Sequence, residues 1–509
     1  MKYILNILIF LILTLFFCVG CKKTYHIPDN AKAINSKAKI YPDYTNIAIP
    51  SNIAPLNFMV RQTGNAFIVT LCANDGKQII TGSNNSGVIQ FDLAEWHQFL
   101  ELHKGQSVKV TIYAQNTTEW VAYLPFNIYI AEEPIDDYVS YRLIEPGYEL
   151  YRQLGIYQRN MKNFEVKTIY ENEPSINKNG HCINCHNFQY YNAHRMVFHV
   201  REHLAGTVVA SDGKVEKINP KTDSTLSNAV YPAWHPTQKW VVFSSNKTGQ
   251  IFHIKDKQKI ECIDNASDLI FYNLETHEIS NIIKTSDKME TFPAWSPKGD
   301  RLYYCLADIG VDADSVSYKE LQAKTGKNYE DIEYNIMSIP FDTVTKTFGQ
   351  PEIEVDCKSM GLSGTLPRIS PDGRYLLFTM GDFGQFHIWH KTSDQYVKDL
   401  QTGQCYPLTA ANSKNSESFH NWSSNGRWIV FTTRRDDGVF TRLYITYFDK
   451  NGKAHKAFML PQENPLDNIK LFKSYNVPEI TRNAVQYSPS DFKKVIYRDA
   501  IPTKYTSTQ

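Results

Sequence analysis

The sequence predicts an all-β protein in which a β-sandwich-like domain precedes a β-propeller. Four segments in the second half share one frame, an anchor residue, a turn and then a strand rich in β-branched and aromatic residues: YPAWHPTQKWVVFSS, FPAWSPKGDRLYYCL, LPRISPDGRYLLFTM and FHNWSSNGRWIVFTT. The first half contains short alternating runs without a repeat, such as AFIVTLCA and SVKVTIYA. Hydrophobic residues make up 42% and charged residues 21% of the chain, which is typical of a folded protein.

The N-terminal segment is predicted to be an export signal. In MKYILNILIFLILTLFFCVGCKK, a lysine precedes an apolar run that ends at the small residue Gly20. This pattern indicates a lipoprotein signal peptide over residues 1–20, with Cys21 as the lipidated N-terminus and a linker over 21–40. Cys18 stands where such signals usually carry leucine, so an uncleaved anchor helix is the alternative. We expect a membrane-anchored lipoprotein of the cell envelope that faces the periplasm, on either the inner or the outer membrane.

The charge of the chain argues against a nucleic-acid partner. The net charge is +1 at pH 7, which provides no basic field for a polyanion. Small molecules or proteins are therefore the expected partners. Five cysteines stand singly and far apart, which does not indicate a disulfide framework. These five predicted structural thiols are Cys72, Cys262, Cys305, Cys357 and Cys405.

Residues 41–135 are predicted to form the β-sandwich-like domain. Alternating runs are separated by glycine and asparagine turns, as strands of a half-buried sheet require. One helix is predicted within LAEWHQFLELHK, because Leu93, Trp96, Phe99 and Leu100 share a face.

Residues 136–180 are predicted to be a partly helical connector between the sandwich and the propeller. Its first part reads DDYVSYRLIEPGYELYRQLGIYQRNMKNFE. Pro146 and Gly147 are expected to break the connector into two pieces.

Residues 181–509 are predicted to form the propeller. Proline and glycine in SPKG and SPDG make the tight turns that lead into a strand, and three or four strands per unit repeated around an axis make blades. A fainter fifth copy is NFQYYNAHRMVFHV, and the tail VPEITRNAVQYSP is the candidate for a sixth blade that an earlier strand completes. Asp312–Asn335 is predicted to be a helical insertion in the third visible blade. The anchors expected to pack between blades are Trp234, Trp295, Ile369 and Trp422.

The segment GHCINCHNF contains the residues that indicate a cofactor-attachment site. Cys182 and Cys185 lie three residues apart, and His186 follows directly. In c-type haem attachment, two thiols at this spacing add to the vinyl groups of haem and the next histidine binds the iron. The sequence therefore predicts one covalent haem c at these residues. The alternatives are a reducible disulfide, a zinc site completed by His194 or His199, and an unoccupied thiol pair.

A sixth ligand for the iron is not fixed by the sequence. On a strand over residues 195–200, the side chains of Met196 and His199 point to opposite faces, so only one of them can meet the iron. His199 is the first candidate. The further candidates are His194, His203, His235 and His253.

Several segments together resemble a known family. IPSNIAPLNF, IDDYVSYRLIEPGYELYRQLGIYQRN, CINCHNF, MVFHVR and YPAWHPTQKWVVFSSNKTGQIFH are similar to TolB-like PD40-repeat lipoproteins that carry one cytochrome-c-type CxxCH motif at the head of the propeller. The resemblance covers most of the mature chain. It implies a cell-envelope lipoprotein with an N-terminal β-domain and a propeller, and it implies Cys182, Cys185 and His186 as haem-attachment positions. It implies no reaction, substrate or partner residue.

Two classes of function follow from these patterns. With haem attached, the protein is expected to act in electron transfer or redox sensing with an envelope protein or electron carrier. Without haem, it is expected to be a propeller scaffold that binds an envelope protein or a glycan. A hydrolase is not predicted, because GLSGT at Gly361–Thr365 lacks the last glycine of a GxSxG elbow and too few residues follow the final repeat to build an α/β domain.

Overall fold

A computed structural model describes residues 24–145, 153–172, 180–253 and 260–507. The predicted signal peptide, Cys21, Pro146 and Gly147 lie outside these ranges. Within the described ranges, no helix is both long enough and apolar enough to cross a membrane.

The N-terminal domain consists of two sheets and one helix. The larger sheet has the order β1-β9-β8-β10-β3, with β5 paired to β8 and β6, and the smaller sheet is β2-β4-β7. The strands are β1 Lys32–Lys37, β2 Ile40–Tyr41, β3 Ile47–Ile49, β4 Phe58–Val60, β5 Ala66–Cys72, β6 Gln78–Asn84, β7 Val88–Ile89, β8 Gln106–Asn116, β9 Glu119–Leu124 and β10 Phe126–Ile130. The predicted β-sandwich-like fold is confirmed, and its first strand already begins before residue 41.

The predicted helix of this domain is present as α1, Leu93–Leu102. It begins after Asp92, whose side chain accepts a hydrogen bond from the backbone N–H of Glu95 at 3.0 Å. Trp96, Phe99 and Leu100 are buried, as their shared face predicts, whereas Leu93 in the first turn is exposed.

The rest of the described chain forms six blades, which we number 1 to 6. Blades 3 and 4 are joined into one sheet, because Ser267 pairs with Met289. Blade 1 contains β11 Tyr138–Ile144, β12 Gly155–Asn160, β13 Val166–Glu171 and β35 Ser474–Thr481. Blade 2 contains β14 His181–Gln189, β15 Asn192–Glu202, β16 Gly206–Ser211 and β17 Lys214–Asn219. Blade 3 contains β18 Ala229–Trp234, β19 Trp240–Phe252, β20 Ile260–Asn273 and β21 Glu278–Ile283.

The remaining blades follow the same up-and-down order. Blade 4 contains β22 Lys288–Trp295, β23 Arg301–Asp308, β24 Asn335–Asp342, β25 Thr347–Phe348 and β26 Glu352–Val355. Blade 5 contains β27 Ser363–Ile369, β28 Tyr375–Gly381, β29 Asp394–Asp399 and β30 Cys405–Pro407. Blade 6 contains β31 Glu417–Trp422, β32 Trp428–Thr433, β33 Arg442–Tyr447 and β34 Phe458–Met459.

Among the described residues, three α-helices and two short strands accompany the six blades. The predicted insertion in the blade that begins at Lys288 contains α2, Tyr318–Lys327, which starts at a capping box formed by Ser317 and Glu320. The other helices and outer strands are α3 Asp467–Lys470, α4 Pro489–Ile496, β36 Ile501–Pro502 and β37 Lys504–Tyr505. Because β36 pairs with β17 and β37 with β21, the C-terminal segment runs along the outer edges of blades 2 and 3.

The ring is closed by a strand from the C-terminal part of the chain. β35 is the innermost strand of blade 1 and pairs antiparallel with β11, which lies more than 300 residues earlier. The innermost strands then contact one another in the order β35, β14, β18, β22, β27, β31 and back to β35. The predicted all-β sandwich and propeller fold is confirmed, with six blades.

The predicted partly helical connector over 136–180 is wrong in its described part. β11, β12 and β13 occupy Tyr138–Ile144, Gly155–Asn160 and Val166–Glu171 and form three strands of blade 1. The local pattern of this segment is ambiguous, and its strand partner is the distant β35. The propeller therefore begins at blade 1 and not at residue 181.

The sandwich packs against blade 6. Trp428 and Tyr447 of this blade belong to the same buried cluster as the sandwich core. The indole N–H of Trp428 donates to the Glu133 carbonyl oxygen at 3.1 Å, and the Tyr447 hydroxyl donates to the Glu133 carboxylate at 3.0 Å. The backbone N–H of Ser424 donates to Asp136 at 2.7 Å. The two domains thus share one core.

Replacing the blade anchor Trp422 by alanine is expected to destabilise the protein by about 3–5 kcal/mol. This side chain is 1% exposed, and its indole N–H donates to the Arg368 carbonyl oxygen of blade 5 at 3.2 Å. The change therefore removes packing and one bond between blades. The measurement is urea unfolding followed by circular dichroism, with Val344→Ala as the control because Val344 is 88% exposed. Equal midpoints for the two variants would contradict the role of the anchor.

Candidate functional site

Each innermost strand contains a bulge at which one residue has a positive φ angle. The strand pairing shifts register at all six places. Positive φ is uncommon in residues other than glycine, and a bulge redirects the side chain it carries. All six side chains line one cavity on the propeller axis, and we call them the axial ring. The axial ring consists of Cys185 (φ 51°), Tyr231 (φ 45°), Phe292 (φ 50°), Leu366 (φ 57°), Phe419 (φ 42°) and Val477 (φ 47°).

The two cysteines and the histidine of the CxxCH motif line this same cavity. Its volume is about 330 Å³, and Cys182, Cys185 and His186 all line it. The motif lies within strand β14. In a regular strand, residues three apart point to opposite faces. The bulge between Asn184 and Asn187 adds a residue, so both thiols reach the same cavity.

His186 is buried without a partner that meets hydrogen-bond geometry for its ring. It is 2% exposed, and neither ring nitrogen has such a partner among the described residues. Burial, followed by the charge of Arg142, lowers the pKa of His186 to about 3, and a hydrogen-bonding interaction with the Val477 backbone acts in the opposite direction. The imidazole is therefore neutral at pH 7, which is the form that binds a metal.

The histidine at the equivalent position in blade 6 has hydrogen-bond partners for both ring nitrogens. His420 follows the axial residue Phe419 as His186 follows Cys185. The Nε2 atom of His420 lies 2.8 Å from the Leu366 carbonyl oxygen of the preceding blade, and Nδ1 lies 3.3 Å from Thr379 Oγ1. Both ring nitrogens are thus satisfied. In the other blades this position is proline, at Pro232, Pro293, Pro367 and Pro478.

Both thiols of the motif are free. Burial raises the pKa of Cys182, while Arg142 and Arg201 act in the opposite direction. The side-chain amide of Asn184 donates to the Cys182 sulfur at 3.1 Å. The described residues therefore show no disulfide between Cys182 and Cys185.

The cavity walls differ in polarity. Blade 3 contributes a polar side that includes Thr248 and Gln250, and the Thr248 hydroxyl donates to Asp264 behind the wall at 2.9 Å. Burial raises the pKa of Asp264 to about 7, and its hydrogen bonds with Thr248 and Asn246 act against this shift. Blades 5 and 6 contribute an apolar side. That side consists of Leu366, Phe386, Ile388, Trp389 and Phe419.

The structure does not bring His199 to this cavity. Its Nδ1 atom lies 2.8 Å from Thr207 Oγ1, and its ring packs against Phe243 of blade 3 with the centroids 5.5 Å apart. Burial, followed by the charge of Arg201, lowers the pKa of His199 to about 3. The other candidate sixth ligands are also not among the described residues that line the cavity. They are Met196, His194, His203, His235 and His253.

The zinc alternative has no geometric support in the described part of the chain. No group of three or more histidine, cysteine, aspartate or glutamate side chains is arranged there to hold a metal ion. His194 and His199, which were needed to complete such a site with the two thiols, do not line the cavity.

Sequence reasoning missed the axial ring and the basic residues of the cavity. The signal for the ring was present in the repeat frame. Tyr231 lies three residues before the anchor Trp234, and Cys185 lies three residues before Phe188, which takes the equivalent pairing position in blade 2. The basic residues are Arg142, Arg201 and Arg368, from blades 1, 2 and 5. No sequence signal groups these three, because strand pairing around a closed ring brings them together.

Comparison with known proteins identifies no family. No protein-family model matches the chain, and no curated protein matches it. Among solved structures, a prolyl endopeptidase is 11% identical over 64% of this chain and 42% of its own, with a TM-score of 0.33. The hydrazine synthase of Kuenenia stuttgartiensis is 10% identical over 68% of this chain and 46% of its own, with a TM-score of 0.41. This chain thus spans less than half of either protein.

A third similar structure is a propeller domain. The β-propeller domain of the trilobed protease from Pyrococcus furiosus is 10% identical over 84% of this chain and 99% of its own, with a TM-score of 0.34. These values carry no argument about function. The propeller assignment rests on the strand pairing and ring closure of this chain.

The two equivalent histidines provide a matched test of the site. In protein produced without haem, His420→Leu is expected to lower the free energy of unfolding by about 1–3 kcal/mol, because it leaves the buried Leu366 carbonyl unpaired. His186→Leu is expected to cost less than about 1 kcal/mol or to stabilise, because it removes two unpaired ring nitrogens. Urea unfolding of both variants measures the difference. Equal losses would mean that His186 is hydrogen-bonded like His420.

Proposed function

We propose that this protein is a cell-envelope lipoprotein that carries one covalent c-type haem in the central cavity of its propeller and exchanges single electrons with a partner protein or senses redox state. The observation that supports this most directly is the convergence of Cys182, Cys185 and His186 on one cavity. The bulge that allows this convergence is present in all six innermost strands, so the blade geometry supplies it and the motif residues use it.

The residues of the cavity fit the group. Cys182 and Cys185 would form the two thioether bonds, and His186 would be the axial ligand of the iron. His186 is neutral at pH 7. Among the described residues, neither of its ring nitrogens has a partner that meets hydrogen-bond geometry. The apolar side that includes Phe386 and Trp389 would exclude water from a flat aromatic body. Bound haem would supply one-electron chemistry.

The position of the protein in the cell belongs to the same proposal. Lipidation of Cys21 would hold the chain on a membrane and leave the propeller in the periplasm. The partner would be an envelope protein or a soluble electron carrier, since the net charge of +1 does not favour nucleic acid.

A haem-free propeller is the second candidate, and one observation favours it. Cys185 occupies the position that the other blades fill with Tyr231, Phe292, Leu366, Phe419 or Val477. A small, half-buried thiol can serve there as a packing residue. In this case the mouth of the cavity would bind an envelope protein or a glycan, and no cofactor would be attached.

Covalent haem distinguishes the two candidates. The full chain is expressed with a haem-ligation system and exported, and a haem stain is applied to a denaturing gel. Wild type and Cys262→Ala are expected to stain, because Cys262 lines the same cavity outside the motif. The double variant Cys182→Ala/Cys185→Ala is expected to lose the stain.

The opposite result is equally informative. A colourless wild-type protein, with a peptide over residues 180–188 whose mass shows unmodified cysteines, would leave the haem-free propeller as the function. Protein isolated from its native envelope is the sample for this mass measurement.

The lipid anchor has its own test. Cys21→Ser is expected to move the protein out of the membrane fraction and to abolish incorporation of labelled fatty acid, because the acylated thiol is removed. Cys72→Ser is the control, since Cys72 lies in strand β5 of the folded domain. Unchanged membrane association of Cys21→Ser would indicate an uncleaved anchor helix instead.

A further inference from the structure

Three arginines converge on the cavity that contains the motif. Arg142 comes from β11 of blade 1, Arg201 from β15 of blade 2 and Arg368 from β27 of blade 5. Glu202 is the one acidic side chain among the described residues that line the cavity. The cavity therefore has an excess of positive charge next to an apolar side.

Arg142 is the most enclosed of the three. Its side chain is 8% exposed, and Nη1 donates to the Ile183 carbonyl oxygen at 3.2 Å. This bond holds the guanidinium beside the CxxCH segment. The charge of Arg142 acts on both Cys182 and His186, which shows how close it lies to the motif.

Arg201 and Arg368 approach the cavity from the sides. Arg201 stands directly opposite Cys182 in the pairing of β14 with β15, so both side chains lie on the same face. Arg368 donates from Nη1 to the Pro367 carbonyl oxygen at 2.9 Å.

Glu479, the acidic group whose charge acts most on Arg368, is engaged in hydrogen bonds elsewhere. Glu479 accepts hydrogen bonds from the Asn187 side chain at 2.8 Å and from the Phe188 backbone N–H at 2.9 Å. Burial raises the pKa of Glu479 to about 8, so it carries little charge to neutralise Arg368 at pH 7.

We propose that Arg142, Arg201 and Arg368 form a carboxylate clamp that binds the two acidic side chains of the tetrapyrrole and fixes its orientation in the cavity. Guanidinium groups bind carboxylates through paired, charge-assisted hydrogen bonds, which a neutral ester accepts far more weakly. This inference rests on the proposed haem function. The clamp and the apolar side together would select a flat apolar molecule that carries carboxylates at its edge.

The test separates the clamp from covalent attachment. The full-length variant Cys182→Ser/Cys185→Ser is titrated with haemin and with haemin dimethyl ester, and absorbance gives the two dissociation constants. Haemin is expected to bind at least about 10-fold more tightly than its diester. Adding Arg142→Gln and Arg201→Gln is expected to reduce this preference to about 3-fold or less, since only Arg368 of the clamp remains, while leaving diester binding within about 3-fold.

Controls keep the outcome interpretable. Arg195→Gln changes an arginine of the same strand as Arg201 that pairs with Asp212 at 2.8 Å and does not line the cavity, so it should retain the preference. Arg201→Gln alone changes an exposed side chain and provides a folded variant if the buried Arg142 change destabilises the protein. Circular dichroism verifies folding of each variant.

Two results would overturn the clamp, and they differ in what else they affect. Equal affinity for haemin and its diester in the arginine-containing protein overturns the clamp and leaves covalent haem attachment standing. Failure to bind either compound, together with an unstained wild-type protein, overturns the clamp and the proposed function together.

Discussion

The pairing of β35 with β11 is the constraint on which the propeller and its cavity depend. It joins the two ends of the blade array, so the six innermost strands face a common axis. The same pairing brings Arg142 opposite Asn476, next to the bulge that carries Val477. One set of strand hydrogen bonds thus closes the ring and delivers a cation and an axial residue to the cavity. A closed ring also leaves few exposed strand edges, which protects a protein of this kind from edge-to-edge association.

The bulge in every innermost strand is the second determinant of the site. A regular strand would direct alternate side chains into the spaces between blades, where they pack as core. The residue at positive φ instead turns one side chain per blade toward the axis. Positive φ carries a strain that the surrounding pairing must support. In blade 2 the same bulge allows two cysteines three residues apart to reach one cavity.

Local patterns predicted the parts of the fold that carry local signals. The repeated frame of anchor, turn and strand identified five blades, and the tail segment VPEIT was recognised as a candidate for the sixth. Blade 1 was missed because β11 to β13 carry no copy of the frame and their closing strand is distant. His199 was named as a ligand from its closeness in sequence, but its strand directs it toward Phe243 of blade 3. The motif residues could be found from their spacing. The arginines could not, because blades 1, 2 and 5 meet only in the closed ring.

The contrast between His186 and His420 bears on why the motif has a histidine at all. The position after each axial residue tolerates proline in four blades, so the fold does not require a histidine there. His420 satisfies both ring nitrogens with groups of blade 5, and it offsets its burial in that way. His186 is equally buried but has no such partner among the described residues, which costs about 1–3 kcal/mol per unpaired group. Coordination of one ring nitrogen to iron would remove the cost for that nitrogen and would use the neutral imidazole that burial enforces. Burial alone accounts for the neutral imidazole, so the feature that distinguishes His186 from His420 is the lack of geometric hydrogen-bond partners for its two ring nitrogens.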